Sequence, residues 1–337
     1  MSKKYDLAVY IGRFSPFHLG HLHTVQQALQ LANRVLILVG SSFQPATPKN
    51  PWSFNERESM IRRSLPDYDF TNHIMVEPLV DYRYDDTKWV SEVQRTVGDY
   101  HPESVVLVGH DKDESSYYLD MFPQWDFVDT GSHDILDATR VRELLFAGEH
   151  AFLRSVVTNS VFDYLVGTWK RDTTKFEAIK KEHDYIRGYK AMWPAKIYTT
   201  TDVVCVQSGH VLMIERGRDV GVGLLALPGG FLEEGERLVD GAIRELQEET
   251  QIKVPEKVLR GSIRAQHVFD APGRDLRGRI ITHCFLIKLD DSQPLPKVKG
   301  SDDAKKAWWF PISDLYKNRE RVYGDHLDIV DKLTSFI

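Results

Sequence analysis

The chain has 337 residues, 42% of them hydrophobic and 27% charged, the balance of soluble globular proteins, and it is too long for one ordinary domain. Its 43 Lys and Arg stand against 49 Asp and Glu, a formal net charge of −6, which gives no electrostatic case for a dedicated DNA or RNA binder. Two cysteines, Cys205 and Cys284, rule out a disulfide framework and fit a reducing compartment.

Residues 1–6 run straight into an apolar segment, 7–11, closed by Gly12. With no signal-peptide core there, and no apolar run of the roughly 18 residues that span a bilayer, a cytoplasmic chain without membrane contact is expected. Leu22, Val25, Ala28, Leu29 and Ala32 then recur at helical spacing, and residues 35–39 form a second apolar run closed by Gly40. Strand, helix and strand within about 35 residues predict a right-handed βαβ unit. Residues 105–108, closed by Gly109, predict another strand of the same sheet. The first half is therefore α/β with a parallel sheet, its ligand expected at the carboxyl ends of the strands. From 169 to 193 the texture turns to Lys, Glu, Asp and Tyr, with Phe176, Ile179, His183 and Ile186 at helical spacing and Pro194 as the stop. Strands are predicted over 197–206, 210–215, 279–289 and 307–310, with one strong helix over 238–250, an α+β sandwich. The expected division is a first domain over 1–170, a connecting helix over 171–195 and a second domain over 196–337.

The first functional segment lies where strand one meets its helix, Gly12-Arg-Phe-Ser-Pro-Phe-His-Leu-Gly-His-Leu22. His18 and His21, three apart, project to one side. Gly20 lets a ligand approach the backbone, the helix N-terminus suits a phosphate, and Arg13 can neutralise it. His18-Leu-Gly-His21 resembles the HxGH signature of the nucleotidyltransferase superfamily, whose members attack the α-phosphate of ATP and expel pyrophosphate. Thr139 and Arg142 match its second signature, S/T-S-T-x-x-R, although Asp137 and Ala138 stand where serines are frequent. Residues 12–18 are similar to the G-R-F/M-Q-P-F-H of archaeal-type nicotinamide mononucleotide (NMN) adenylyltransferases, with Ser15 in place of glutamine. Asn50-Pro-Trp-Ser-Phe-Asn-Glu-Arg57 resembles their N-P-F-T-x-x-E-R element, and Asp81 and Trp89 fall in a segment like their NMN-binding one.

That resemblance, over residues 5–165, implies a Rossmann-like domain with ATP and NMN as substrates. It implies His18, His21 and Arg142 as catalytic residues on the ATP phosphates, with Gly12, Arg13, Gly20 and Thr139 around them. It also implies Asp81 and Trp89 on NMN, the indole stacked on the electron-poor nicotinamide ring, and Mg2+ carried by ATP.

In the second half, Glu245, Glu248 and Glu249 fall at i, i+3 and i+4, so their carboxylates gather on one helix face, while Val239, Ala242, Ile243 and Leu246 form the buried face. Crowded carboxylates call for a cation, and hard oxygen ligands select Mg2+ or Mn2+. Gly230, Glu236 and Arg244-Glu-Leu-Gln-Glu-Glu249 resemble the Nudix box, G-x5-E-x7-R-E-U-x-E-E-x-G-U, with Gln251 where the late glycine belongs. The resemblance covers about residues 196–330 and implies metal-dependent hydrolysis of a nucleoside diphosphate linked to another group, with the three glutamates as metal ligands. Arg274, Arg277 and Arg279 make a glycine-interrupted basic loop suited to a pyrophosphate. The loop and the pair Tyr189 and Trp193 resemble Nudix domains acting on ADP-ribose, giving AMP and ribose 5-phosphate.

The order of the two domains resembles the bacterial family of bifunctional NMN adenylyltransferase/ADP-ribose pyrophosphatases. It implies ATP, NMN, NAD and ADP-ribose as partners, with neither nucleic acid nor membrane, and leaves a homo-oligomer open. Cys205 and Cys284 are read as packing residues. Two alternatives stand beside this reading. The transferase could serve another phosphorylated acceptor, and the Nudix domain could act as a ligand sensor or on another nucleoside diphosphate.

Overall fold

The structure, a computed structural model, describes residues 3–70, 72–110, 119, 121–131, 137–171, 173–192, 197–301 and 303–337. The chain forms two units, Met1–Lys180 and Lys181–Ile337. Among the described residues no helix is long and apolar enough to cross a membrane.

In the first unit the early apolar runs become neighbouring parallel strands. β1 (Tyr5–Gly12) and β2 (Ala32–Val39) pair from Tyr5 opposite Ala32 to Gly12 opposite Val39, with α1 (Leu19–Leu31) as the crossover. α2 (Phe54–Ser64) follows, then β3 (Ile74–Pro78), α3 (Asp86–Gly98), β4 (Val105–Gly109) and β5 (Asp126–Asp129). The sheet is parallel throughout, in the order β3-β2-β1-β4-β5. Both faces are covered, which is why the inner strands read as unbroken apolar runs. Ala8, Tyr10, Ile37, Val39, Val106 and Val108 join Val25, Ala28 and Leu29 of α1 in one layer. Leu7, Val9, Leu36, Leu38 and Leu107 join Val93 and Val97 of α3 in the other. The chain leaves β1 towards β2 and returns on the other side at β4, so the crevice for a ligand opens at the carboxyl end of β1. α4 (Ala138–Ala147), α5 (His150–Val156), α6 (Asn159–Phe162), a π-helical turn at Asp163–Trp169 and α7 (Thr173–Met192) complete the sequence, and the division between units falls inside α7.

In the second unit β6 (Ile197–Gln207) and β7 (His210–Arg216) form a hairpin with Gln207 opposite His210. Its two-residue turn, Ser208 and Gly209, has φ of 48° and 73°, the left-handed pair that matches the twist of the flanking strands. β8 (Leu225–Ala226) adds to β7 and β9 (Gly229–Phe231) to β6. α8 (Leu238–Thr250) and α9 (Glu256–Gly261) precede β10 (Ile263–Phe269), β11 (Arg279–Lys288) and β12 (Ala304–Pro311), and α10 (Ile312–Lys317) and α11 (His326–Thr334) follow. The sheet order is β10-β11-β6-β7-β12, with β11 parallel to β6 and the other pairs antiparallel. α8 buries Ala242, Ile243 and Leu246 against Val203, Cys205, Phe285 and Ile287. Cys205 and Cys284 are buried and unpaired, as expected of packing residues. The four predicted strands and the predicted helix are all present; β3, β5, β8, β9 and β10 were not anticipated.

Candidate active sites

Two imidazoles build the first turn of α1. His18 is the N-cap: its Nδ1 accepts the backbone N–H of His21 at 3.4 Å, and Nδ1 of His21 accepts that of His18 at 3.3 Å. The rings stack with centroids 3.6 Å apart. Because each Nδ1 accepts, the proton of each neutral ring sits on Nε2, a donor suited to a phosphate oxygen. Gly20 lies between them in the same turn. Gly12 ends β1, and a Cβ there would collide with the Phe14 ring at 2.9 Å.

Arg142 ties the second signature to the first. From α4 its Nη1 donates to the Ser15 carbonyl at 2.6 Å and its Nη2 to Oγ1 of Thr139 at 3.1 Å, with the residue only 5% exposed. Burial, and then the charge of Arg13, push its guanidinium down to about 10. Lys49 belongs to the same group of cations. Its amine is pushed down to about 8, first by burial and then by Arg13 and Arg83, although the residue as a whole stays exposed. Asp81 offsets part of the repulsion among these cations, and the remainder is of the sign that suits a polyanion. Lys49 escaped the sequence reading since one lysine in a loop has no periodicity; its place beside Asn50 was the available signal.

The two residues expected on the acceptor are each anchored within the first unit. Asp81 accepts the Ser41 backbone N–H on Oδ1 at 2.9 Å and the Ser41 hydroxyl on Oδ2 at 2.7 Å. Trp89, on α3, is partly buried in the second apolar layer, its ring 5.9 Å from that of Phe122.

In the second unit Arg244 organises the acidic face of α8. Its Nε and Nη2 reach the two oxygens of Glu236 at 2.9 and 3.0 Å, and Nη1 bonds Glu245 and Glu248 at 2.9 Å each. The guanidinium is accordingly held above its ordinary range, chiefly by Glu236. Glu249 turns inward, 4% exposed, with Oε2 accepting the Gly229 N–H at 2.9 Å. Burial first, and the nearby Glu245 and Asp202 after it, push Glu249 up to about 8, with the Gly229 N–H opposing. A Cβ on Gly230 would run into the Glu245 carboxylate, so glycine is required where the entry strand crosses the helix. Among the described residues no three carboxylates already form a cage. The donor set nonetheless fits a divalent cation: hard oxygens, one of them on a buried carboxyl whose charge is opposed by its acidic neighbours.

A cleft of about 290 Å³ opens over this face, lined by Glu249, Asp202 and Gly229–Gly230 on one side and by Tyr185, Tyr189, Phe231, Arg216, Arg274 and Arg277 on the others. The three arginines of the basic loop differ in what they do. Arg274 is held by Asp325 through two bonds of 2.8 and 2.9 Å, their side chains 6% and 1% exposed. Arg277 is paired with Asp275 and stands 5.4 Å over the Phe231 ring. Arg279 bonds the Asp270 carbonyl and does not line the cleft. Arg216, absent from the sequence reading, lines it, with its guanidinium 4.2 Å over Tyr323 and Nε on the Val220 carbonyl at 2.7 Å. Tyr185 and Tyr189 are four apart on α7, an aromatic pair beside the buried Phe176, Ile179 and Ile186 that could have marked a binding face. Trp193 and Pro194 lie outside the described residues.

Comparison with known proteins agrees with both halves. The family model for the NUDIX domain matches residues 198–333, and a cytidylyltransferase-like model matches 9–128. A nicotinamide/nicotinic acid mononucleotide adenylyltransferase of Acinetobacter baylyi is 40% identical over 149 residues, 43% of this chain and 78% of that protein. An ADP-ribose pyrophosphatase of Methanocaldococcus jannaschii is 32% identical over 129 residues, 37% of this chain and 70% of that protein. The crystal structure of a bifunctional NMN adenylyltransferase/ADP ribose pyrophosphatase from Francisella tularensis is similar over 98% of this chain and 99% of that one, with 34% identity and a TM-score of 0.91. A second structure of that protein, complexed with AMP and a manganese ion, has a TM-score of 0.89 and the same identity and coverage.

Proposed function

This chain belongs to the family of bifunctional NMN adenylyltransferase/ADP-ribose pyrophosphatases, and we propose that its first unit joins NMN to the AMP moiety of ATP while its second cleaves ADP-ribose. In the first reaction the 5′-phosphate of NMN attacks the α-phosphorus of ATP in line and pyrophosphate leaves, giving NAD. Positioning and charge carry such a step, with no covalent intermediate. His18 and His21 donate from Nε2 to the ATP phosphates, and Arg142, Arg13 and Lys49 spread the developing negative charge. Thr139 orients Arg142, and Gly12 and Gly20 leave room for the nucleotide beside the backbone. Mg2+ enters with ATP.

In the second unit Glu245, Glu248 and Glu249 would hold Mg2+, with Mn2+ as the alternative. When bound there, the cation supplies neutralisation of the diphosphate oxygens and a water of lowered pKa. Arg244 fixes the glutamate side chains, Arg216 and Arg277 face the substrate anion, and Tyr185, Tyr189 and Phe231 offer flat apolar faces to the adenine. AMP and ribose 5-phosphate are the products. Two buried, unpaired cysteines and a net charge of −6 support a cytoplasmic enzyme whose partners are ATP, NMN, NAD and ADP-ribose rather than nucleic acid.

The observation that supports the reading is that each unit draws the residues of its own signature together: Arg142 reaches Ser15 beside the stacked imidazoles, and Glu249 meets the Gly229 N–H beneath the cleft. The test is a paired assay on the purified chain, NAD from NMN plus ATP and AMP from ADP-ribose, each with Mg2+ and with Mn2+. Both products are expected. NAD formation without AMP release would leave the second unit a sensor or a hydrolase of another diphosphate.

A further inference from the structure

The bond that occupies Asp81 leads to a residue outside every motif. Ser41, just past the carboxyl end of β2, has a φ of 50°, a left-handed conformation unusual for a residue with a Cβ. Four side-chain bonds hold it there. Asp81 takes its N–H at 2.9 Å and its hydroxyl at 2.7 Å, while its carbonyl accepts from Asn50 Nδ2 at 3.0 Å and from Arg57 Nη2 at 3.2 Å. Arg57 is fully buried and makes its other bonds to backbone carbonyls, among them those of Arg13 at 2.8 Å and Gly40 at 2.7 Å. Gly40 N–H in turn donates to the Gly12 carbonyl at 2.8 Å. Ser41 is thus joined to the chain at Arg13 through Arg57, and to the chain at Lys49 through the adjacent Asn50. These are two of the cations placed on the substrate phosphates above.

We propose that Ser41 is a positioning residue for adenylyl transfer: its left-handed turn, clamped by Asp81, Asn50 and Arg57, sets Arg13 and Lys49 for the phosphates, and Asp81 acts in part through Ser41. The physical case is that Arg13, Lys49 and Arg142 repel one another, a repulsion that Asp81 offsets only in part. Cations that repel swing apart unless their backbone is tied. A tie made beneath them keeps the receptor formed before binding, and preorganisation of that kind is what makes charge stabilisation effective in the transition state. A residue left in a strained conformation and held by several side chains is a common mark of such a device.

This proposal rests on the transferase reading, and a double-mutant cycle separates the two. Ser41→Ala, Asp81→Ala and the double variant are prepared in the full chain, and kcat and KM are measured for ATP and for NMN. Circular dichroism and a thermal melt report folding, and ADP-ribose hydrolysis checks each preparation. Ser41→Ala, which removes one hydroxyl, is expected to lower kcat/KM about tenfold, and Asp81→Ala about a hundredfold. The double variant should match Asp81→Ala within about twofold, and the KM values for both substrates should rise together. If Asp81→Ala folds poorly, Asp81→Asn takes its place in the cycle. Normal kinetics in Ser41→Ala with a raised KM for NMN alone in the Asp81 variant overturns the proposal, as do effects that simply multiply. A wild-type chain that makes no NAD removes the transferase reading and this proposal with it.

Discussion

Lys49 titrates where enzymes are assayed. Its amine is depressed from 10.5 to about 8 by burial and by Arg13 and Arg83, so in the free enzyme it is charged below about 8 and neutral above. A phosphate chain bound among the cations favours the charged form. Binding is therefore coupled to proton uptake on the alkaline side, and KM for ATP should rise as pH increases from about 8, approaching tenfold per pH unit. Lys49→Arg keeps its charge throughout that range and should flatten the rise. Measuring KM for ATP from about pH 7.5 to pH 9.5 in both proteins decides it, and an equal rise in the two would assign the proton elsewhere. At this scale the sequence showed what helices repeat. His18 with His21, Thr139 with Arg142, and the glutamates of α8 stand three or four apart on single helices. Lys49, Ser41 and Arg216 reach their sites from loops or a strand end, where only the folded chain makes them neighbours.

The same contrast governs whole elements. β1, β2, β6, β11 and α8 are buried along most of a face or on both, so their patterns are dense and readable. β5 has exposed residues at three of its four positions, and β8 and β9 are two and three residues long. β10 alternates, but Ala265 and His267 stand on the more covered side and blunt the contrast with Arg264 and Gln266. The end of α8 carries a local conflict that does register in the sequence. Gln251, where the Nudix box has glycine, caps the helix at φ 47° and ψ 31°, with its N–H on the Gln247 carbonyl. A left-handed cap costs a residue with a Cβ about 1 kcal/mol that glycine does not pay. The helix is complete in spite of it, and Glu249, two residues earlier, keeps its bond to Gly229. Gln251→Gly should therefore raise the melting temperature of the second unit by about 2–4 °C and leave ADP-ribose hydrolysis unchanged. Calorimetry on the two proteins measures this. A lower melting temperature would show that the glutamine side chain contributes more than the strained backbone costs.

For the molecule as a whole, the distribution of site residues along the chain sets how the two activities relate. Every group assigned to adenylyl transfer lies between Gly12 and Arg142, inside Met1–Lys180, and every group lining the hydrolytic cleft lies between Tyr185 and His326, inside Lys181–Ile337. Each unit has its own sheet and its own apolar core. Substitutions far apart with no shared partner act independently, so the two chemistries should be separable by single changes. His21→Ala removes one donor to the transferring phosphate and should cost about 10²-fold or more in NAD synthesis, with ADP-ribose hydrolysis intact. Glu249→Gln keeps the shape but removes the buried charge that would hold the cation, and should abolish hydrolysis with NAD synthesis intact. The double variant should lose both activities by the same factors as the singles. Loss of both activities in either single variant would mean that the units are coupled through α7, the helix in which they divide and from which Tyr185 and Tyr189 reach the hydrolytic cleft. With independent effects, α7 serves the second site as an aromatic wall, and joining the two enzymes in one chain raises the concentration of each near the other without transmitting a signal.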